Sequence, residues 1–140
     1  MIAVLDASGA AEIAAKTQAG VDLINVLMRA ERVLAPELYI AEVCNVMWKL
    51  GRKGDFHQDT YMELAQDCID FVDEYVAASE LWKEALRLAQ EHNHAVYDML
   101  YATLARRHDA VLLTMDTKLC DTCGKIAVRY KNPGLADDRN

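Results

Sequence analysis

Two short apolar runs in this chain each stop at an aspartate: residues 2–5 before Asp6, and residues 110–115 before Asp116. Runs of this kind suit strands buried on both faces of a sheet. Such strands need covering helices, and the intervening sequence supplies them. Ser8-Gly9 opens an Ala-rich helix with Ser8 as the expected N-cap. Residues 21–30 carry Leu23, Ile24, Leu27 and Met28 at helical spacing, and Arg32-Val33-Leu34-Ala35 before Pro36 predicts a second strand. Residues 38–50 form a helix stopped at Gly51 or, at the latest, Gly54. Residues 60–72 form another, followed by a short strand at Tyr75-Val76-Ala77. Helices over 81–90 and 96–107 flank His92-Asn93-His94; a short helix follows Asp116, and Ile126-Ala127-Val128 is the expected last strand. Strands interleaved with helices give an α/β domain around a mostly parallel sheet, spanning residues 1–132, with 133–140 as a flexible tail.

Ligands of open α/β sheets bind beyond the carboxyl ends of the strands. Asp6 and Asp116 both fall there, although either residue also serves to start a turn or cap the next helix. Asp98 shares a helical face with Tyr101, Ala102 and Ala105, while Arg106 and Arg107 lie off it. That places a carboxylate toward the core, where it needs a partner or a metal. Equally, an acid in a first helical turn suits the helix dipole. Glu42 lies in a helix with Ile40, Val43, Cys44 and Met47 on one side. It shares an arc with Asn45, Lys49 and, if the helix passes Gly51, Arg52 and Lys53. This arc is either a plain solvent face or a wall running from a metal ligand to a phosphate-holding basic end. Four carboxylates without a nearby His/Cys ligand set favour a hard ion such as Mg²⁺ or Mn²⁺.

The net charge of −7 excludes a broad basic surface, so any positive surface tracking phosphates is local. No apolar stretch is long enough for a membrane span, and Asp6 interrupts the N-terminal apolar run too early for a signal peptide, so a cytoplasmic location is expected. Cys44, Cys68, Cys120 and Cys123 are too few for a disulfide framework, and Cys44 and Cys68 are expected as buried thiols in amphipathic helices. Cys120-x-x-Cys123 with His92-x-His94 lacks the order and spacing of a zinc site, and no strand precedes the cysteines as a thioredoxin-like pair requires.

Four fragments in order resemble the PIN-domain family across nearly the whole chain: Leu5-Asp6-Ala7-Ser8, Ala41-Glu42-Val43-Cys44-Asn45, Tyr97-Asp98-Met99-Leu100-Tyr101-Ala102-Thr103-Leu104-Ala105 and Leu112-Leu113-Thr114-Met115-Asp116-Thr117-Lys118-Leu119. Met115 stands where the family commonly has a small residue. The resemblance implies a three-layer sandwich and an Mg²⁺- or Mn²⁺-dependent endoribonuclease. Asp6, Glu42, Asp98 and Asp116 would be its catalytic and metal-binding acids, supported by Ser8, Asn45 and Thr114. Asp121 fits an additional acid of some members only loosely. Small members of this size are typically VapC-type toxins, which implies RNA as substrate, a cognate antitoxin and a homodimer. Two rivals remain. A receiver-type phosphoacceptor domain wants an acidic pair after the first strand and an Asp after a middle one; here Asp6 stands alone and Tyr75-Val76-Ala77 runs into Ala78-Ser79. A catalytically silent PIN fold that only binds nucleic acid or protein is opposed by the intact acidic set.

Overall fold

The computed structural model describes residues 1–54 and 57–135. The elements in chain order are β1 (Ile2–Leu5), α1 (Ala7–Ala14), α2 (Gln18–Leu27), β2 (Arg32–Pro36), α3 (Leu38–Arg52), α4 (Gln58–Asp70), β3 (Glu74–Val76), α5 (Ala78–His92), α6 (Val96–Arg107), β4 (Val111–Leu113), α7 (Thr117–Lys125) and β5 (Tyr130–Lys131). The strands form one sheet in the order β3-β2-β1-β4-β5, and every pairing is parallel. Ala3, Val4 and Leu5 of the central strand are fully buried, as a strand covered on both faces requires. α6 packs across β1, β2 and β4 with α5 against it, while α1 packs on α3 and α4, which makes the α/β three-layer sandwich. Among the described residues no helix is long and apolar enough to cross a membrane.

Several local expectations are corrected. The cap of α1 is Asp6, whose carboxylate accepts from the Gly9 N–H at 2.9 Å, and not Ser8. Helix α3 ends at Arg52, within the expected bounds of Gly51 and Gly54; a Cβ at Gly51 would come within 3.1 Å of the Tyr61 ring, so this glycine also serves packing against α4. Its buried stripe is Tyr39, Val43 and Met47, which leaves Ile40 and Cys44 exposed. Cys68 is buried as expected. Ile126-Ala127-Val128 is not a strand. Ile126 closes α7, Ala127 turns left-handed at φ 59°, and the Val128 N–H returns to the Cys123 carbonyl at 3.0 Å. The last strand lies two residues further on, where Tyr130 and Lys131 pair with Leu112 and Leu113. Of the expected tail, Leu135 closes a turn onto the Asn132 carbonyl at 3.0 Å, and residues 136–140 lie outside the described residues.

α1 and α2 meet at Gly20, where a Cβ would fall 2.1 Å from the Glu12 carbonyl oxygen and 2.9 Å from the Ile13 Cα. Both neighbours are backbone and cannot rotate away. Gly20→Ala should therefore destabilise the fold by about 3 kcal/mol, the upper end for overpacking. Urea unfolding measures this, and an unchanged midpoint would refute the close approach.

Candidate active site

Parallel pairing of β1 with β4 brings the ends of the two strands side by side, and the Asp6 N–H donates to the Leu113 carbonyl at 3.1 Å. Asp6 is almost fully buried at this junction. Its Oδ1 accepts from the Ser8 hydroxyl at 2.7 Å and from the Gly9 N–H, and its Oδ2 accepts from the Thr114 hydroxyl. Each hydroxyl is oriented in turn by a backbone donor: the Met115 N–H reaches Ser8 Oγ at 3.0 Å, and the Asp116 N–H reaches Thr114 Oγ1 at 3.0 Å. Burial pushes the Asp6 carboxyl up to about 6, against the pull of the Thr114, Gly9 and Ser8 hydrogen bonds, and the charge of Glu42 adds to the rise.

Glu42 is half-buried on α3, and its Oε1 accepts from the Tyr101 hydroxyl of α6 at 2.7 Å. Burial raises its pKa, the Tyr101 bond lowers it, and the charge of Asp98 raises it further. Asp6 thus feels the charge of Glu42, and Glu42 that of Asp98. Burial first, and Glu42 second, drive the Tyr101 phenol far above its ordinary value, so it stays a neutral donor. Asp98 lies on the helical face of the buried Tyr101, Ala102 and Ala105, at its outer end. Its side chain is 31% exposed at the rim, with Oδ2 2.8 Å from His94 Nε2. Asp116 caps α7, its Oδ1 accepting from the Leu119 N–H at 3.1 Å.

The remaining sequence candidates are placed less closely. Asn45 is exposed on α3. Lys49 and Lys53, seven and eleven residues on from Glu42, return to nearly its angular position on a helix, whereas Arg52 turns onto the Trp48 ring at 4.8 Å. Asp121 is exposed on α7. Cys120 and Cys123 are buried, and burial pushes their thiols up to about 11 and about 12. An open apolar groove between α3 and α4, lined by Cys44, Met47, Trp48, Tyr61, Met62 and Ala65, contains none of the four acids.

Among the described residues, no three His, Cys, Asp or Glu side chains already stand as a group able to hold one metal ion. The donor chemistry nevertheless fits a hard divalent cation. The candidate ligands are all carboxylate oxygens, and two of them, on Asp6 and Glu42, are held above their ordinary pKa by burial and by a neighbouring carboxylate. The hydrogen bonds of Glu42, Asp98 and Asp116 each engage one oxygen and leave the other for a ligand. Three residues of this network were not assigned roles from sequence: Tyr101, which was read only as part of an apolar face, and the His94–Thr122 pair behind Asp98.

A family model described as PIN domain matches residues 3–125. Ribonuclease VapC3 of Pyrobaculum aerophilum is 28% identical over 120 residues, 84% of this chain and 92% of that protein. The fold is similar to the crystal structure of PAE2754 from Pyrobaculum aerophilum, with a TM-score of 0.69 and 26% identity over 87% of each chain. It is also similar to a chain of VapBC2 from Rickettsia felis, solved bound to a DNA fragment from their promoter, with a TM-score of 0.66 over 94% of this chain and 98% of that one. Identity there is 14%, so that likeness bears on the fold alone.

The raised Asp6 pKa has a signed consequence for stability. A carboxyl that binds its proton more tightly folded than unfolded favours the fold at low pH; the benefit is complete below the ordinary value of 3.8 and is lost as pH rises through about 6. At about 1.4 kcal/mol per pKa unit, the loss is on the order of 3 kcal/mol. In EDTA, wild type should lose more stability than Asp6→Asn between pH 4 and pH 7.5. Parallel profiles of denaturation midpoint against pH would show that Asp6 does not titrate in this window.

Proposed function

This chain belongs to the PIN-domain family, and on that footing we propose that it is a divalent-metal-dependent endoribonuclease, the toxin of a toxin–antitoxin pair. The observation that carries this reading is the buried Asp6 carboxyl, fastened by Ser8 and Thr114 at the ends of two adjacent strands and electrostatically coupled to Glu42. Similarity to Ribonuclease VapC3 supports the activity.

In this reading Asp6, Glu42, Asp98 and Asp116 are the catalytic acids and hold Mg²⁺ or Mn²⁺. The bound ion would activate water and offset negative charge on the attacked RNA phosphate. Ser8 and Thr114 fix both oxygens of Asp6, so its carboxylate cannot rotate out of the site. Tyr101 steadies Glu42 from the facing helix. Asn45 is a further polar support at the exposed side. No side-chain nucleophile is required, and burial keeps the Cys120 and Cys123 thiols protonated at neutral pH. Lys49, Arg52 and Lys53 supply the local positive surface for the RNA backbone in a chain whose net charge is −7. A cognate antitoxin and a second copy of this chain are the protein partners. Val21 and Met28 at α2 and Met62 on α4 are exposed apolar residues that can serve such contacts.

The purified protein should cleave RNA with Mg²⁺ or Mn²⁺ and stop in EDTA. Asp6→Ala should lower the rate by about a thousandfold or more, the equivalent of the several kcal/mol that a metal supplies. Cleavage that persists unchanged in Asp6→Ala comes from a contaminant and sinks the reading. Replacing Lys49, Arg52 and Lys53 by alanine should weaken RNA binding and flatten the log K against log salt slope by about 2, as expected for three lost phosphate contacts to a single strand. An unaltered slope would place the phosphate-binding surface elsewhere.

A further inference from the structure

Behind the rim of the acidic cluster lies a buried histidine. His94 follows Asn93, whose left-handed backbone ends α5, and its side chain is 2% exposed. Its Nε2 is 2.8 Å from Asp98 Oδ2 and its Nδ1 is 2.9 Å from Thr122 Oγ1. An ionised carboxylate only accepts, so the ring proton at Nε2 points at Asp98. Thr122 lies in α7, the helix capped by Asp116, and its hydroxyl is also 3.3 Å from the Lys118 carbonyl one turn earlier. The path Asp98–His94–Thr122 therefore ties the first turn of α6 to the helix that carries Asp116 at its start.

We propose that His94 is a positioning residue for the acidic centre: it holds Asp98 by one oxygen, leaves the other turned to a divalent cation, and through Thr122 sets Asp98 against α7 and Asp116. This rests on the reading of Asp98 as a metal ligand. Asp98 is at the rim, and among the described residues its carboxylate makes no hydrogen bond other than the one to His94. Released from His94, the side chain is free to adopt other rotamers, and a ligand that must be ordered on binding binds more weakly. The ring itself cannot swing, because it is buried and bonded at both nitrogens. The arrangement inverts the familiar pairing in which a carboxylate orients a ligating histidine; here the histidine orients the carboxylate, and outer partners of this kind are worth 10–100-fold in metal affinity.

The test is Mn²⁺ affinity of the full chain by calorimetry, alongside thermal melts without metal, for wild type, Asp98→Asn, His94→Leu, His94→Gln and Thr122→Val. His94→Leu should weaken Mn²⁺ binding by about tenfold or more. His94→Gln, whose amide can place an N–H near the position of Nε2, should recover most of that loss. Thr122→Val, which leaves the ring in place without its second partner, should fall between. If Asp98→Asn binds Mn²⁺ like wild type, the reading of Asp98 as a ligand fails. If Asp98→Asn weakens binding while folded His94→Leu does not, or His94→Gln is as weak as His94→Leu, the positioning role fails. Should His94→Leu not fold, Thr122→Val decides, and wild-type Mn²⁺ affinity in that variant overturns the proposal.

Discussion

A carboxylate taken out of water must find its hydrogen bonds in the protein, and Asp6 finds three donors at the junction of α1 with the chain leaving β4. The Gly9 N–H belongs to the first turn of α1, the Ser8 hydroxyl to the same turn, and the Thr114 hydroxyl to the chain leaving β4. One side chain therefore caps a helix, closes the seam between two neighbouring strands and sits where an open sheet receives its ligand. The arrangement only partly offsets desolvation, since the proton is still held up to about 6.

How much of this was legible in the sequence depended on how local each cause is. β1 is legible because both-face burial writes a continuous apolar run ending at Asp6; β4 is legible as an apolar run but is shorter than expected, ending at Leu113 with Thr114 and Met115 between it and Asp116. Helix α6 was read to the residue, since its apolar spacing and its last-turn arginines agree. Ile126-Ala127-Val128 is not a strand although its β-branched, apolar composition reads as one; the deciding contact, Val128 to Cys123, is a backbone bond that side-chain pattern does not encode. Asp6 and Ser8 are both good capping residues, and only the pairing of β1 with β4, more than a hundred residues away in sequence, brings Thr114 to bear on Asp6 and Ser8 together.

The candidate acids were visible as chemistry, and their supports were not. Asp6 and Asp116 stand where apolar runs stop, and Glu42 heads the polar arc that runs to Asn45 and Lys49. Tyr101 and Glu42 are 59 residues apart, and His94 and Thr122 are 28 apart. Such pairs exist only once the helices are packed. Tyr101 lies on the inner face of its helix as the apolar spacing predicts, but nothing local in the sequence marks its hydroxyl as the partner of Glu42. Asp98 shares the buried face of Tyr101, Ala102 and Ala105, yet its place in the first turn leaves it at the rim, reached by a histidine that precedes the helix.

The contact of α1 and α2 at Gly20 bears on the acidic centre although it lies at the far side of the first helix. α1 starts at the Asp6 cap and, near its other end, Glu12 and Ile13 rest against Gly20 without room for a methyl group. A short rod supported at one end rocks about that support; supported at both, it cannot. The helix that orients Ser8 and the Gly9 N–H is thus braced like a beam, and the aim of the Asp6 carboxylate is set in part by a residue with no side chain at all.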